Sequence, residues 1–332
     1  VSQLPIVIGH RGASGYRPEH TRAAYELAFA LGADAVEPDL VASKDGVLVI
    51  RHENEISGTT DVGSRPEFAD RRTTKTVDGT VHTGWFTEDF TWAELSTLRA
   101  IERLPKVRPG NAAFDGAEGI LRLADLLAML DAADRPIGMV AEIKHPTYFA
   151  GIGFALDELF AAELVAAGWD DDERLTVECF EETVLHQVRE QGIRARLVLL
   201  IDAEGAPADQ VALHGSSAMP YEAYLTDASL AALAGRVDGI SVDKHILLRD
   251  NDQLVARAHE VGLTVYTWTL RAENRFLAKK LRSGKSSADL GDWRTEYEQL
   301  MRTGVDGVFA DQPDLALQAR ASFWDDESSS RR

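Results

Sequence analysis

Cysteine is nearly absent from this 332-residue chain: Cys179 stands alone, so no bridge can form within the chain and a disulfide-stapled framework is excluded. Basic residues are also in deficit. Thirty-five Lys and Arg face 54 Asp and Glu, a formal charge of −19, which argues against nucleic acid or an anionic bilayer as the principal partner. Any anionic substrate must be drawn in by a local group of cations. A long apolar run is missing too. The nearest candidate, residues 151–169, is interrupted by Asp157, Glu158 and Glu163, so a membrane-spanning helix is excluded. No Gly-rich phosphate fingerprint follows the first apolar run, which disfavours an open dinucleotide-binding sheet. The first residue is Val1 rather than Met, so either a processed mature form or a trimmed chain is expected, the former with a secreted or periplasmic location.

What remains is the composition of an ordinary globular protein, 45% hydrophobic and 27% charged. Eight short β-rich runs recur along it, at residues 6–10, 35–40, 138–143, 175–179, 195–200, 239–242, 264–268 and 307–310. Helix-like segments separate them: residues 21–31 place Ala24, Leu27, Ala28 and Leu31 on one face, with Gly32 ready to cap. Residues 123–130 and 184–188 behave similarly. Continuous apolar strands alternating with helices predict a single α/β domain, a TIM (β/α)8 barrel, over residues 1–324. The rhythm breaks at residues 54–122, rich in Thr, Gly, Asp and Arg, with no strong strand. That stretch is expected as an excursion inserted over the barrel mouth. A smaller excursion is expected at residues 202–230, and a loose polar tail at 325–332.

The chemistry of a TIM barrel sits at the C-terminal ends of its strands. The first run ends in Gly9-His10-Arg11-Gly12, and the second contains Glu37-Pro38-Asp39. Period-two spacing aims both acids into the mouth, where they repel each other unless a cation compensates them. The tight-turn signal Ser43-Lys44-Asp45-Gly46 predicts a hairpin. A turn centred between Lys44 and Asp45 sets Ile50 opposite Asp39 and His52 opposite Glu37, and a register one residue away still returns His52 to the mouth. Two histidines, His10 and His52, then converge on one acidic site. The third run adds Glu142 and Lys144 on one face. Glu37, Asp39 and Glu142 are hard oxygen ligands, suited to Ca²⁺ or Mg²⁺ rather than zinc. With a divalent ion, these three acids and the cations Arg11 and Lys144 leave one positive charge. A singly charged phosphodiester neutralises it, whereas a neutral glycoside would not need the cations.

The segment His10-Arg11-Gly12-Ala13-Ser14-Gly15-Tyr16-Arg17-Pro18-Glu19-His20-Thr21, followed by Glu37-x-Asp39, His52, Glu142-x-Lys144 and Gly307-Val308-Phe309-Ala310-Asp311, resembles the glycerophosphodiester phosphodiesterases. The likeness spans nearly the whole chain in the expected order, and looks closest to the bacterial periplasmic or secreted branch. It implies a TIM barrel, His10 and His52 as catalytic acid and base, Glu37, Asp39 and Glu142 as ligands of a divalent metal, and Arg11 and Lys144 on phosphate. It also implies hydrolysis of glycerophosphocholine or glycerophosphoethanolamine to glycerol 3-phosphate and an alcohol, with attack by the substrate's own glycerol hydroxyl and a cyclic phosphate that water opens. Glu19 is expected to support the site from behind. One departure is visible: Glu53 follows His52 where the family usually has Asp.

The rival on the same scaffold is a lysophospholipase D acting on lysophospholipids or lysoplasmalogens, which needs an apolar channel at the mouth. Phe180 and Trp268 are the preferred wall residues, with Tyr148, Phe149, Phe154, Met219 and Tyr221 as further candidates. A non-catalytic barrel would require damage to this set of side chains, and none is seen.

Overall fold

The structure, a computed structural model, describes residues 4–249 and 253–330. Its strands in chain order are β1 (Ile6–His10), β2 (Ala35–Glu37), β3 (Asp39–Ala42), β4 (Leu48–Ile50), β5 (Thr73–Val77), β6 (Thr80–Gly84), β7 (Gly138–Ile143), β8 (Leu175–Cys179), β9 (Arg196–Ile201), β10 (Gly239–Asp243), β11 (Thr264–Leu270) and β12 (Gly307–Ala310). Parallel pairing runs from β2 through β1, β12, β11, β10, β9 and β8 to β7, and β7 returns to both β2 and β3. The sheet is therefore closed, and the expected TIM barrel is present. Pro38 has no N–H to give the ladder, so the second stave is split into β2 and β3 at that residue. Its two halves still dock on β7, Val36 beside Met139 and Asp39 beside Glu142.

Two apolar compartments hold the barrel. The interior is filled by Ile8, Ala35, Val140, Val198, Tyr266 and Phe309, and a much larger cluster lies between the strands and the surrounding helices. The helix Arg22–Leu31 begins where the Thr21 side chain accepts from Ala24 N–H, and ends at Gly32 with φ +94°.

The hairpin after β3 forms, with its register one residue from the expected one. Leu40 faces Ile50, Val41 faces Val49 and Ala42 faces Leu48. The loop has three residues rather than two: Ser43 N–H donates to Val47 O at 2.9 Å, and Gly46 takes φ +77° in the last loop position. The ladder's last contact is Arg51 N–H to Asp39 O at 3.0 Å, after which His52 enters the mouth.

The stretch from 54 to 122, expected to hold no strong strand, contains a hairpin. β5 and β6 pair through Asp78 and Gly79, both with positive φ. The strands are Thr-rich and mostly exposed, so they carry no apolar run, and they form a sheet separate from the barrel. The last helix, Pro313–Ser330, continues through the first part of the expected polar tail; residues 331 and 332 lie outside the described residues.

Candidate active site

His10 closes β1 and is held in place from the far end of the chain. Its Nδ1 lies 2.6 Å from Oδ1 of Asp311, which follows β12. Arg108 Nη2 at 2.6 Å and Arg271 Nε at 2.9 Å donate to the other oxygen of Asp311. Burial opposes ionisation of Asp311, but Arg271, Arg108 and His10 outweigh it and hold its carboxyl well below the usual range. An ionised carboxylate can only accept, so His10 carries its proton on Nδ1 and turns the Nε2 lone pair to the cavity.

His52 is built the same way. Its Nδ1 donates to Glu53 Oε1 at 2.5 Å, so the longer acid still reaches the ring. Arg103, from the inserted stretch, bridges Glu53 and Glu19 with contacts of 2.7 Å to each. On the other side, His52 Nε2 is 3.4 Å from Lys144 Nζ. Burial, with Arg11 and Lys144 alongside, pushes the His52 pKa down to about 3; burial and Arg11 lower His10 as well. Both imidazoles are neutral in the free protein, the form that accepts a proton.

The carboxylates gather between them. Arg11, at φ +58°, donates its backbone N–H to Glu37 Oε2 at 2.9 Å, and its guanidinium lies 3.2 Å from Glu19 Oε2 and 3.4 Å from Asp39 Oδ2. His20 Nε2–H donates to Asp39 Oδ2 at 2.9 Å, while its Nδ1 accepts from the Tyr25 hydroxyl at 2.8 Å. Lys144 Nζ donates to Glu142 Oε1 at 2.8 Å and stands 3.9 Å from Asp39 Oδ1. The tightest acidic group is Glu37, Glu142 and Glu178, with an oxygen from each within 4.8 Å of the others. Glu178 was not anticipated. It pairs with Glu142 across the β7–β8 ladder, and the signal was an acid interrupting an otherwise apolar strand.

Buried Glu37 Oε1, Asp39 Oδ1 and Glu178 Oε2 have no hydrogen-bond partner among the described residues. Orphaned carboxylate oxygens facing one another are costly unless a cation joins them. Burial, and then neighbouring acids, raise Glu37 and Glu178 well above the ordinary carboxylate range, and burial takes Glu142 up to about 8. Burial would raise Asp39 too, but His52, Lys144, His20 and Arg11 hold it well below. The donors present fit a hard divalent ion. With Glu178 as a fourth acid, the surplus positive charge expected from three disappears if all four ionise.

A cavity of about 770 Å³ spans this mouth and is lined by His10, Arg11, Glu37, His52, Glu142, Lys144 and Glu178. Phe180 and Trp268 form part of its wall, their rings 5.8 Å apart at 82°. Phe149 lies in the core, and Met219 is exposed away from this wall. Glu19 sits behind Arg11, bound to both Arg11 and Arg103. Arg103, Arg108 and Arg271 carried no local sequence signal; their partners come from distant parts of the chain.

The sequence profile of the Glycerophosphoryl diester phosphodiesterase family matches residues 10–315. The chain belongs to that family. It is a phosphoric diester hydrolase. Glycerophosphodiester phosphodiesterase GDPD6 of Arabidopsis thaliana is 31% identical over 328 residues, covering 92% of this chain and 83% of the relative. A glycerophosphodiester phosphodiesterase of Bacillus subtilis is 24% identical, covering 96% of this chain and 87% of its own. Among solved structures, an Oleispira antarctica phosphodiesterase in complex with the product sn-glycerol-3-phosphate superposes with a TM-score of 0.63 at 20% identity, covering 95% of this chain and 96% of that one. The glycerophosphodiester phosphodiesterase of Agrobacterium tumefaciens gives 0.59 at 18%, covering 95% and 100%. These likenesses support the family's fold as described above.

Proposed function

We propose that this family member hydrolyses glycerophosphodiesters of small alcohols, such as glycerophosphocholine and glycerophosphoethanolamine, to glycerol 3-phosphate and the free alcohol in a metal-dependent reaction. The observation that carries this reading is the pair of matched imidazoles. His10 and His52 each turn Nε2 to one cavity, each backed by a carboxylate that an arginine clamps. One neutral imidazole takes the proton of the attacking hydroxyl, and the imidazolium formed is matched by Asp311 or Glu53 behind it. The other, protonated on Nε2 from solvent once the bound phosphodiester's negative charge favours its imidazolium, gives that proton to the departing alkoxide. Arg11 and Lys144 meet the phosphate oxygens as negative charge grows on them.

Glu37, Asp39 and Glu142, with Glu178 beside them, would hold Ca²⁺ or Mg²⁺. Such an ion, when bound, supplies Lewis-acid polarisation of a phosphoryl oxygen and lowers the pKa of a hydroxyl it touches. The chain's own acids fix the place; His20 and Arg11 keep Asp39 turned toward its neighbours.

A second reading, lysophospholipase D action, is favoured by the apolar part of the larger cavity, where Phe180, Trp268, Leu248, Phe276 and Leu277 line one side. Phosphorus NMR of products from glycerophosphocholine and lysophosphatidylcholine, with Ca²⁺ or Mg²⁺ added, separates the two. Glycerol 3-phosphate from the first substrate supports the main reading. A rate that is higher on the acylated substrate transfers the assignment to the second, and phosphocholine as product rejects both.

A further inference from the structure

A second cavity, of about 420 Å³, adjoins the catalytic one and shares Glu142, Lys144, Phe180 and Asp202 with it. Its chemistry is different. Asp78 comes from the β5–β6 turn, Glu181 follows β8, and Asp202 follows β9, so three separate segments bring carboxylates to one wall. Aromatic rings line the same cavity: Tyr148, Phe180 and Tyr221, the last two edge to face at 73° with centroids 6.0 Å apart.

The acids lack counter-charges. Glu181 is 3% exposed, and its Oε2 accepts only from the backbone N–H and hydroxyl of Thr147. Asp202 accepts from Ala203 N–H at 2.6 Å. Among the described residues, neither acid has a Lys or Arg within ion-pair distance, and the shared Lys144 is committed to Glu142. Burial raises both, Glu181 to about 8, as expected of carboxylates short of a cation. Asp78 is met only by His145, at 2.6 Å.

These features decide among occupants. An acyl chain would strip water from three carboxylates and give nothing back. An anion would be repelled. An organic ammonium finds both of its partners here, carboxylates and ring faces, which is how quaternary ammonium groups are held in aromatic pockets. Lys144 lines both cavities, so an alcohol esterified to a phosphate held there can extend into the second one. Resting on the phosphodiesterase reading above, we propose that the second cavity is a head-group subsite selecting glycerophosphodiesters whose alcohol carries an ammonium or trimethylammonium group. The larger cavity then holds the phosphate and glycerol.

The test compares kcat/KM for glycerophosphocholine and for glycerophosphoglycerol, whose alcohol is neutral. Wild type should favour the choline ester by about tenfold or more. Asp78→Asn, and Glu181→Gln where a thermal melt shows it folded, should each remove much of that preference while glycerophosphoglycerol turnover stays within about twofold. No preference in wild type, or equal losses on both diesters, overturns the subsite. Turnover of neither diester rejects the phosphodiesterase reading instead, and the subsite is then read by calorimetry. Choline-ester binding that Asp202→Asn weakens about tenfold supports it, and unchanged binding overturns it.

Discussion

Arg103 and Glu53 form a two-pronged pair, Nη1 to Oε1 at 2.9 Å and Nη2 to Oε2 at 2.7 Å, and through it the inserted stretch reaches the ring of His52. Glu53 stands where the family usually has the shorter Asp. Its Oε1 meets Nδ1 of His52 at 2.5 Å. Burial would favour the neutral acid, but His52 and Arg103 hold Glu53 well below the ordinary carboxylate range, so it stays an acceptor and fixes the tautomer.

Arg103→Ala should free Glu53 and Glu19 together. Because the guanidinium orients rather than touches substrate, kcat is expected to drop about tenfold with little change in KM, and Arg103→Lys should recover part of it as a single-pronged donor. Steady-state kinetics at saturating metal checks this. A change confined to KM would mean that Arg103 binds substrate instead.

Removing either imidazole should be far more severe. His10→Ala and His52→Ala are each expected to lose on the order of 10²–10⁴ in kcat, with unfolding temperatures close to wild type. Near-normal turnover of His52→Ala would show that the hairpin delivers the wrong residue to the reaction.

Chelation with EDTA should abolish turnover, with recovery on adding Ca²⁺ or Mg²⁺. Full activity in chelator would remove the ion from the reaction altogether. By calorimetry, Glu37→Gln and Glu178→Gln should weaken metal affinity more than Glu53→Gln does, since both belong to the acidic cluster and keep an unpartnered oxygen, whereas the Glu53 oxygens are taken up by His52 and Arg103. The reverse order would relocate the metal.

Glu181 predicts a pH dependence of stability away from the catalytic acids. Its folded pKa is raised to about 8 by burial. Between roughly pH 5 and that value the folded protein binds more protons than the unfolded chain, so this group makes stability fall as pH rises. The urea midpoint of wild type should decline relative to that of Glu181→Gln across this window. A relative rise would mean that Glu181 ionises readily in the fold.

Much of the barrel was legible because a strand buried on both faces must read as a continuous apolar run, and the runs at residues 6–10, 138–143, 175–179 and 307–310 coincide with β1, β7, β8 and β12. The site acids and histidines were legible because they sit at strand ends. The β5–β6 hairpin was not, since its exposed Thr residues bury too little to leave a pattern. The register after β3 is the one-residue alternative to the centred turn, because Gly46 lengthens the loop, a choice set by backbone conformation rather than by hydrophobicity. Arg103, Arg108 and Arg271 were invisible for a different reason: an arginine's meaning depends on which acid the folded chain brings to it, and Arg108 lies 203 residues from Asp311.

The pairing of β1 with β12 gives the enzyme a built-in order of assembly. His10 leaves the ribosome 301 positions ahead of the acid that orients it. A nascent or C-terminally clipped chain therefore has its reactive ring without its anchor, and competence arrives only when the final stave docks beside the first. Cutting the chain before Asp311 should silence it however much of the remainder stays folded.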